Sequence, residues 1–320
     1  MRTHPLVSVI IPTYNRAGTV GESIDSVLGQ TYPNIEVILV DDGSTDNTQT
    51  VLRSYGDRIR VVTQANAGPA IARNRGIAVA RGDIVALLDS DDLWLQDKIT
   101  RQVRSLCDAG SEVTACLCNC TVLYPSGRRT STFDIGDTMP KCPSGIWKNP
   151  AEVLLNRFVM FNQAVAIRRE VLERVGYFDE TLRFGEDYDL PFRLALEGPW
   201  TILRDELVVY HAGSEGSWAE KAMREEIRMR EDLVRIRESM AASVVARPPF
   251  AHLRWLAARE LRRERRELRI ARFTRRQVPG AAVLGKSLQV VERLRRALFR
   301  RGPFYPRLVV EELRAFSLKL

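Results

Sequence analysis

Within the first hundred residues, runs of Val, Ile and Leu alternate with amphipathic stretches, and this alternation constrains the fold more than any other feature of the chain. LVSVII (6–11), IEVILV (35–40), RIRVV (58–62) and DIVALL (83–88) read as strands, and the segments near 18–29, 46–54 and 69–80 read as the helices between them. Strands that are apolar on both faces must be covered on both faces, and helical crossovers join parallel neighbours. The expectation is an α/β fold with a Rossmann-like, mostly parallel sheet flanked by helices. Ligands of such sheets bind at the carboxyl ends of the strands. Those ends are polar or acidic here: PTYN follows the first strand, DDGSTD the second and DSDD the fourth.

Each acidic cluster admits a chemical and a structural reading. In LLDSDDLW, the carboxylates of Asp89, Asp91 and Asp92 repel one another unless a hard divalent cation or a set of hydrogen-bond donors sits among them. Mg²⁺ and Mn²⁺ bridge one or two carboxylates to substrate phosphates, which suits a D-x-D after a strand; the same residues suit an acidic helix start, with Asp92 capping a helix over 96–107. In VDDGSTDNT, Asp41 or Asp42 could accept from a base or ribose, or simply close a βα turn capped by Ser44 or Asp46. Glu186, Asp187 and Asp189 in FGEDYDL supply a general base or decorate a helix N-terminus. His211, after LVVY, completes a metal site or bonds within a loop. No G-x-G-x-x-G follows a strand, which argues against a nicotinamide or flavin dehydrogenase.

In order along the chain, SVIIPTYNRAGTVGESIDSVLGQTYPNIEVILVDDGSTDNT, NAGPAIARNRGIAVARGDIVALLDSDD and GYFDETLRFGEDYDL resemble the family 2 glycosyltransferases of the GT-A fold, over about residues 6 to 215. The resemblance implies an inverting transfer from a nucleoside-diphospho-sugar, UDP-linked by preference, to a glycan or lipid-linked acceptor, with Mn²⁺ or Mg²⁺. It implies that Pro12, Tyr14, Asn15, Asp41, Arg73, Asn74, Asp89 and Ser90 hold the donor, with Asp41 at the base and Asp89 at the ribose. Asp91 and His211 would hold the metal; in a looser form of the pattern Asp91 and Asp92 take the ribose and metal roles. Asp187 would be the base, with Glu186 orienting it or the acceptor. The competing reading is a catalytically inactive nucleotide- or glycan-binding module of the same fold.

The chain is expected to divide into a nucleotide-sugar half (1–105) and an acceptor half (106–217) of the GT-A domain, followed by a basic helical extension (218–320) that the resemblance does not cover. Residues 241–320 hold 20 Lys and Arg against 6 Asp and Glu, whereas residues 1–240 hold 28 against 34, so the high pI belongs to the tail. The stretch AHLRWLAARELRRERRELRIARF sets Leu253, Trp255, Leu256, Leu261, Leu268 and Ile270 among arginines. Such a helix fits peripheral contact of 246–300 with an anionic membrane, and equally fits packing on the catalytic domain or a second subunit as a homo-oligomer. No reading module for nucleic acid accompanies the arginines. No run approaches the roughly 18 apolar residues of a spanning helix and no signal-like start is seen, so the expected location is cytoplasmic, at most peripheral at the inner face of the membrane. Cys116, Cys118 and Cys120 alternate in a strand-like run without zinc-ligand spacing, and are expected to be buried, reduced thiols on one sheet face.

Overall fold

The computed structural model describes residues 4–157, 159, 162–213, 221–222 and 224–277. The alternating first third forms β1 (Val7–Thr13), α1 (Val20–Leu28), β2 (Ile35–Asp41), α2 (Thr48–Arg53), β3 (Arg60–Thr63), α3 (Pro69–Val79) and β4 (Ile84–Leu87). These four strands run parallel in the order β3-β2-β1-β4. All seven residues of central β1 are buried, as continuous apolarity demands, whereas β3 at the edge is largely exposed.

Gly76 sets how deeply α3 sinks onto this sheet. A Cβ at that position would lie 2.4 Å from Ile10 Cγ2 and 3.1 Å from Val40 Cγ2. The helix backbone therefore rests almost directly on β1 and β2, an approach open only to glycine.

The second part is less regular. It comprises β5 (Leu93–Trp94), α4 (Lys98–Asp108), β6 (Ala115–Leu123), β7 (Arg129–Ser131), α5 (Thr132–Gly136), β8 (Ser144–Trp147), α6 (Pro150–Leu154), β9 (Val165–Arg168), α7 (Arg169–Val175), α8 (Glu186–Ala195) and β10 (Trp200–His211). One continuous sheet results, ordered β3-β2-β1-β4-β9-β6-β10-β5, with β7 on β6 and β8 on β10. β9 is antiparallel to both β4 and β6, and so joins the two parts. The expected cap is corrected: α4 begins after Asp97, and Asp92 lies five residues earlier, fully buried and engaged elsewhere. The Pro-, Gly- and Ser-containing stretch 125–145 contains β7, α5 and the start of β8.

Cys116, Cys118 and Cys120 are buried and free on β6, at the side where Lys98 lies. Burial raises the Cys116 and Cys118 thiols to about 11 and about 12, so they pack as small apolar groups.

The basic tail is helical as expected, broken at Pro248-Pro249, with α9 (Glu226–Ala246) and α10 (Arg254–Gln277) packed on each other. Residues 278–320 lie outside the described residues. Among the described residues, no helix is long and apolar enough to cross a membrane.

Candidate functional site

The ends of β1, β2 and β4 form one polar surface. Asn15, just past β1, takes a left-handed φ of 52°, which asparagine tolerates better than most residues. This turn lets its backbone N–H donate to Ser44 Oγ at 3.0 Å while its Oδ1 accepts from Thr45 N–H at 2.8 Å. The PTYN and DDGSTD segments are thereby locked together. Pro12 is buried at the end of β1 and Tyr14 is exposed beside it. Asp41 is wholly buried, accepting from Ser44 N–H (3.0 Å) and Gln49 Nε2 (2.9 Å), so a base could reach Oδ2 only if the Gln49 amide leaves it. Asp42 accepts from the Ala67 and Gly68 N–H groups and holds the start of α3.

The three acids after β4 go to three different environments. Asp89 Oδ1 accepts from Arg73 Nη2 at 2.8 Å. Asp91 Oδ2 lies 3.4 Å from Arg16 Nη2. Asp92 is fully buried, with Oδ1 accepting from the His211 N–H (2.9 Å) and Oδ2 from Gln163 Nε2 (2.7 Å). Burial, then the charges of Asp91 and Asp89, push the Asp92 carboxyl well above the usual range, while the His211 N–H and the Gln163 amide pull the other way. Ser90 is buried between them, its carbonyl accepting from Thr19 Oγ1 at 2.9 Å. His211 Nδ1 lies 2.7 Å from the Asp91 carbonyl oxygen. Once Nδ1–H donates there, Nε2 is the ring nitrogen left for a ligand.

Arg73 connects this strand end to α8. It is buried one turn before Gly76 on α3, with Nη1 2.8 Å from Glu186 Oε1 and Nη2 2.8 Å from Asp89 Oδ1. Burial works against the charged guanidinium, yet the two carboxylates outweigh it and raise its pKa. Asp187, beside Glu186 in the first turn of α8, is pushed up to about 7 by desolvation and by the Glu186 charge, with Arg73 pulling it down. Asn74 goes elsewhere: its amide takes Phe178 N–H (2.9 Å) and donates to the Phe178 carbonyl (2.9 Å) and Glu180 Oε1 (2.8 Å). It pins the loop before α8, and both donor contacts of its amide nitrogen go to that loop.

Two further residues shape the site without any sequence signal. Gln163, in a 3-10 turn before β9, donates from one Nε2 to both Asp89 Oδ2 and Asp92 Oδ2 at 2.7 Å, and its carbonyl accepts from Trp94 Nε1 at 3.0 Å. Asp232 of α9 is fully buried, and its Oδ2 accepts from the Arg183 and Phe184 N–H groups at 3.1 and 3.2 Å. α9 thus clamps the loop that presents Glu186 and Asp187. Only their partners reveal them: neither residue lies in a patterned motif.

Asp89, Asp91, Arg16, Arg73, Glu186, Asp187 and His211 therefore border one acidic surface at the strand ends, with Asp92 and Gln163 beneath it. Among the described residues, no group of three or more His, Cys, Asp or Glu side chains is drawn together as a metal cage.

A family model described as Glycosyl transferase family 2 matches residues 8–176. An uncharacterized glycosyltransferase of Rickettsia typhi is 34% identical over 189 residues, which is 59% of this chain and 58% of that protein. An uncharacterized glycosyltransferase of Nostoc sp. is 34% identical over 214 residues, 64% of each chain. The match thus spans less than two thirds of either relative's length. Among solved structures, S. aureus TarS 1-349 in complex with UDP-GlcNAc aligns with a TM-score of 0.64 at 22% identity, over 80% of this chain and 71% of that one. The mannosyltransferase PcManGT from Pyrobaculum calidifontis, in complex with GDP-Man and Mn²⁺, aligns with a TM-score of 0.56 at 22% identity, over 99% and 87% of the two chains.

Proposed function

The chain belongs to glycosyl transferase family 2 and has the GT-A fold, and from that premise we propose that it transfers a sugar from a nucleoside-diphospho-sugar to a glycan or lipid-linked hydroxyl, inverting the anomeric centre. The observation that carries this reading is the bridge from Asp89 through Arg73 to Glu186, which holds Asp187, with its pKa near 7, beside the strand-end acids. A base with a pKa near the working pH combines a large deprotonated fraction with useful basicity. In this reading Asp187 takes the proton from the acceptor hydroxyl as it attacks the sugar. Glu186, fixed by Arg73, orients it.

The donor nucleotide lies across the locked PTYN and DDGSTD segments, with Asp41 toward the base and Asp89 toward the ribose. UDP is the favoured nucleotide, in keeping with the UDP-GlcNAc complex of TarS.

Asp91, after β4, and His211, at the end of β10, are the residues that would hold a hard divalent cation. Asp91 offers a carboxylate, which the Arg16 guanidinium would share with the ion or give up to it, and His211 offers Nε2. Two protein ligands, with the remaining positions left to substrate phosphates and water, suit Mg²⁺ or Mn²⁺. When bound, the ion supplies positive charge toward the departing nucleoside diphosphate. Asp92 is better suited to holding the scaffold, since both of its oxygens accept from protein N–H groups.

A thermal-shift series with UDP, GDP and dTDP, each with and without Mn²⁺, tests the reading. A nucleotide present at a hundred times its dissociation constant stabilises the fold by about 2.7 kcal/mol. The expected result is the largest shift for UDP with Mn²⁺, accompanied by sugar transfer in an acceptor screen. If no nucleoside diphosphate shifts the melt, the reading is wrong.

A further inference from the structure

α10 sorts its arginines into two sets. Leu253 just before it, and Ala257, Glu260, Glu264 and Leu268 within it, are buried at the spacing of one helix face, so the apolar stripe is used in packing. Around that buried face, Arg263 pairs with Glu260, Arg265 with Glu238 of α9 at 2.6 Å, and Arg272 with Glu231 of α9 at 2.7 Å, while Arg230 of α9 occupies Glu264 and Glu267. Arg262, Arg266 and Arg269 take no acid among the described residues and are exposed.

These three arginines share a face with two exposed rings. Trp255, Arg262, Arg266, Arg269 and Phe273 stand at i, i+7, i+11, i+14 and i+18. At 100° per residue they fall within about 60° of arc, in a straight row about 27 Å long. Trp255 is 66% exposed and Phe273 64%, the two largest exposures among the big apolar side chains of the described residues. The outer face of α10 is therefore a line of three uncompensated guanidiniums with an aromatic ring at each end.

We propose that this face docks the protein on an anionic phospholipid surface. Aromatic rings settle at the headgroup level and guanidiniums pair with lipid phosphates, so a flat row of both suits a bilayer. Charge disfavours the alternatives from within the protein. Residues 278–320 carry nine Lys and Arg against three Glu, and a second copy would bring the same basic face. The surface is independent of the transferase reading, since none of its five residues borders the strand-end site.

Co-sedimentation of the full chain with vesicles of phosphatidylcholine, alone or with about one third phosphatidylglycerol, tests it. The expected result is binding only to the anionic vesicles, lost at about 0.5 M salt, with a blue-shifted tryptophan emission that Trp255→Phe abolishes. Three guanidiniums at a membrane surface correspond to roughly a hundredfold in partitioning, so R262A/R266A/R269A should lower it by that order while R265A changes it little. The salt and lipid-charge dependence are read on the unaltered protein, so they stand even if the triple variant does not fold. Equal binding to neutral vesicles, undiminished binding by a folded triple variant, or retention on single-stranded RNA without vesicle binding overturns the proposal.

Discussion

Arg73 and Glu186 stand 113 residues apart in sequence and share a 2.8 Å ion pair in which both side chains are largely buried. Because the other arm of Arg73 holds Asp89, a single side chain fixes the distance between the end of β4 and the start of α8. The chemistry proposed for the protein depends on that distance.

Arg73→Gln should leave Asp89 and Glu186 without their shared counter-ion. Removing one partner of a buried pair costs about 3–5 kcal/mol, which urea denaturation would register. Arg73 also lowers the pKa of Asp187, so its loss should move the acidic limb of the kcat/KM profile toward higher pH. An unmoved limb in a folded variant would show that Arg73 does not act on the base.

Asp187→Asn keeps the shape of the side chain but cannot take a proton. A drop in kcat of about 10² to 10⁴ is expected, with UDP affinity unchanged. Loss of UDP binding in parallel with turnover would place Asp187 in donor binding instead.

The same substitution should also act on stability, with a definite sign. The carboxyl titrates near 7 in the fold against 3.8 ordinarily, so between those values the native state binds more protons than the unfolded chain. Wild-type stability should therefore fall as pH rises from about 4 to 7. Asp187→Asn removes that loss, and its Tm should exceed the wild type at pH 8 but match it at pH 4. Equal differences at both pH values would refute the titration argument.

Asp91→Asn and His211→Ala should each reduce the Mn²⁺-dependent part of the UDP thermal shift toward the metal-free value while leaving the fold intact. A full metal-dependent shift in both variants would remove these residues from the cation site.

Gln163→Leu withdraws the amide shared by Asp89 and Asp92. Leaving a buried carboxylate short of a donor costs about 1–3 kcal/mol, and the loss should shrink at low pH, where the raised pKa of Asp92 leaves less charge to satisfy. Denaturant midpoints at pH 5 and pH 8 provide the comparison.

The parallel sheet was legible because continuous apolar runs between helices admit few other arrangements, and the acids at the ends of β2 and β4 stand out in the sequence for the same reason. What each acid does was less legible. Asp89, Asp91 and Asp92 look alike in the string DSDD, and only folding gives Arg73 to the first, Arg16 to the second and the His211 N–H to the third, with Gln163 shared between the first and third. Asn74, which the resemblance groups with Arg73 at the nucleotide, reaches the 178–180 loop while Arg73 reaches Asp89 and Glu186, a division that the adjacent letters do not show. Gln163 and Asp232 carry no pattern because each acts through buried contacts to residues distant in the chain. In the tail, helix and charge were readable, but which arginines are neutralised depends on where α9 lies.

Gly76 has a consequence for anyone who maps function by mutation. The absence of a side chain there lets α3 rest on Ile10 and Val40, and α3 carries Arg73. Any larger residue must lift the helix or push Ile10 aside, and a lifted helix withdraws the guanidinium from two carboxylates at once. A screen for lost activity in soluble protein would then return position 76 among the inactivating sites, with the phenotype of an active-site residue and no atom to touch a substrate. The depth of one helix on its sheet would be inherited as though it were a catalytic group.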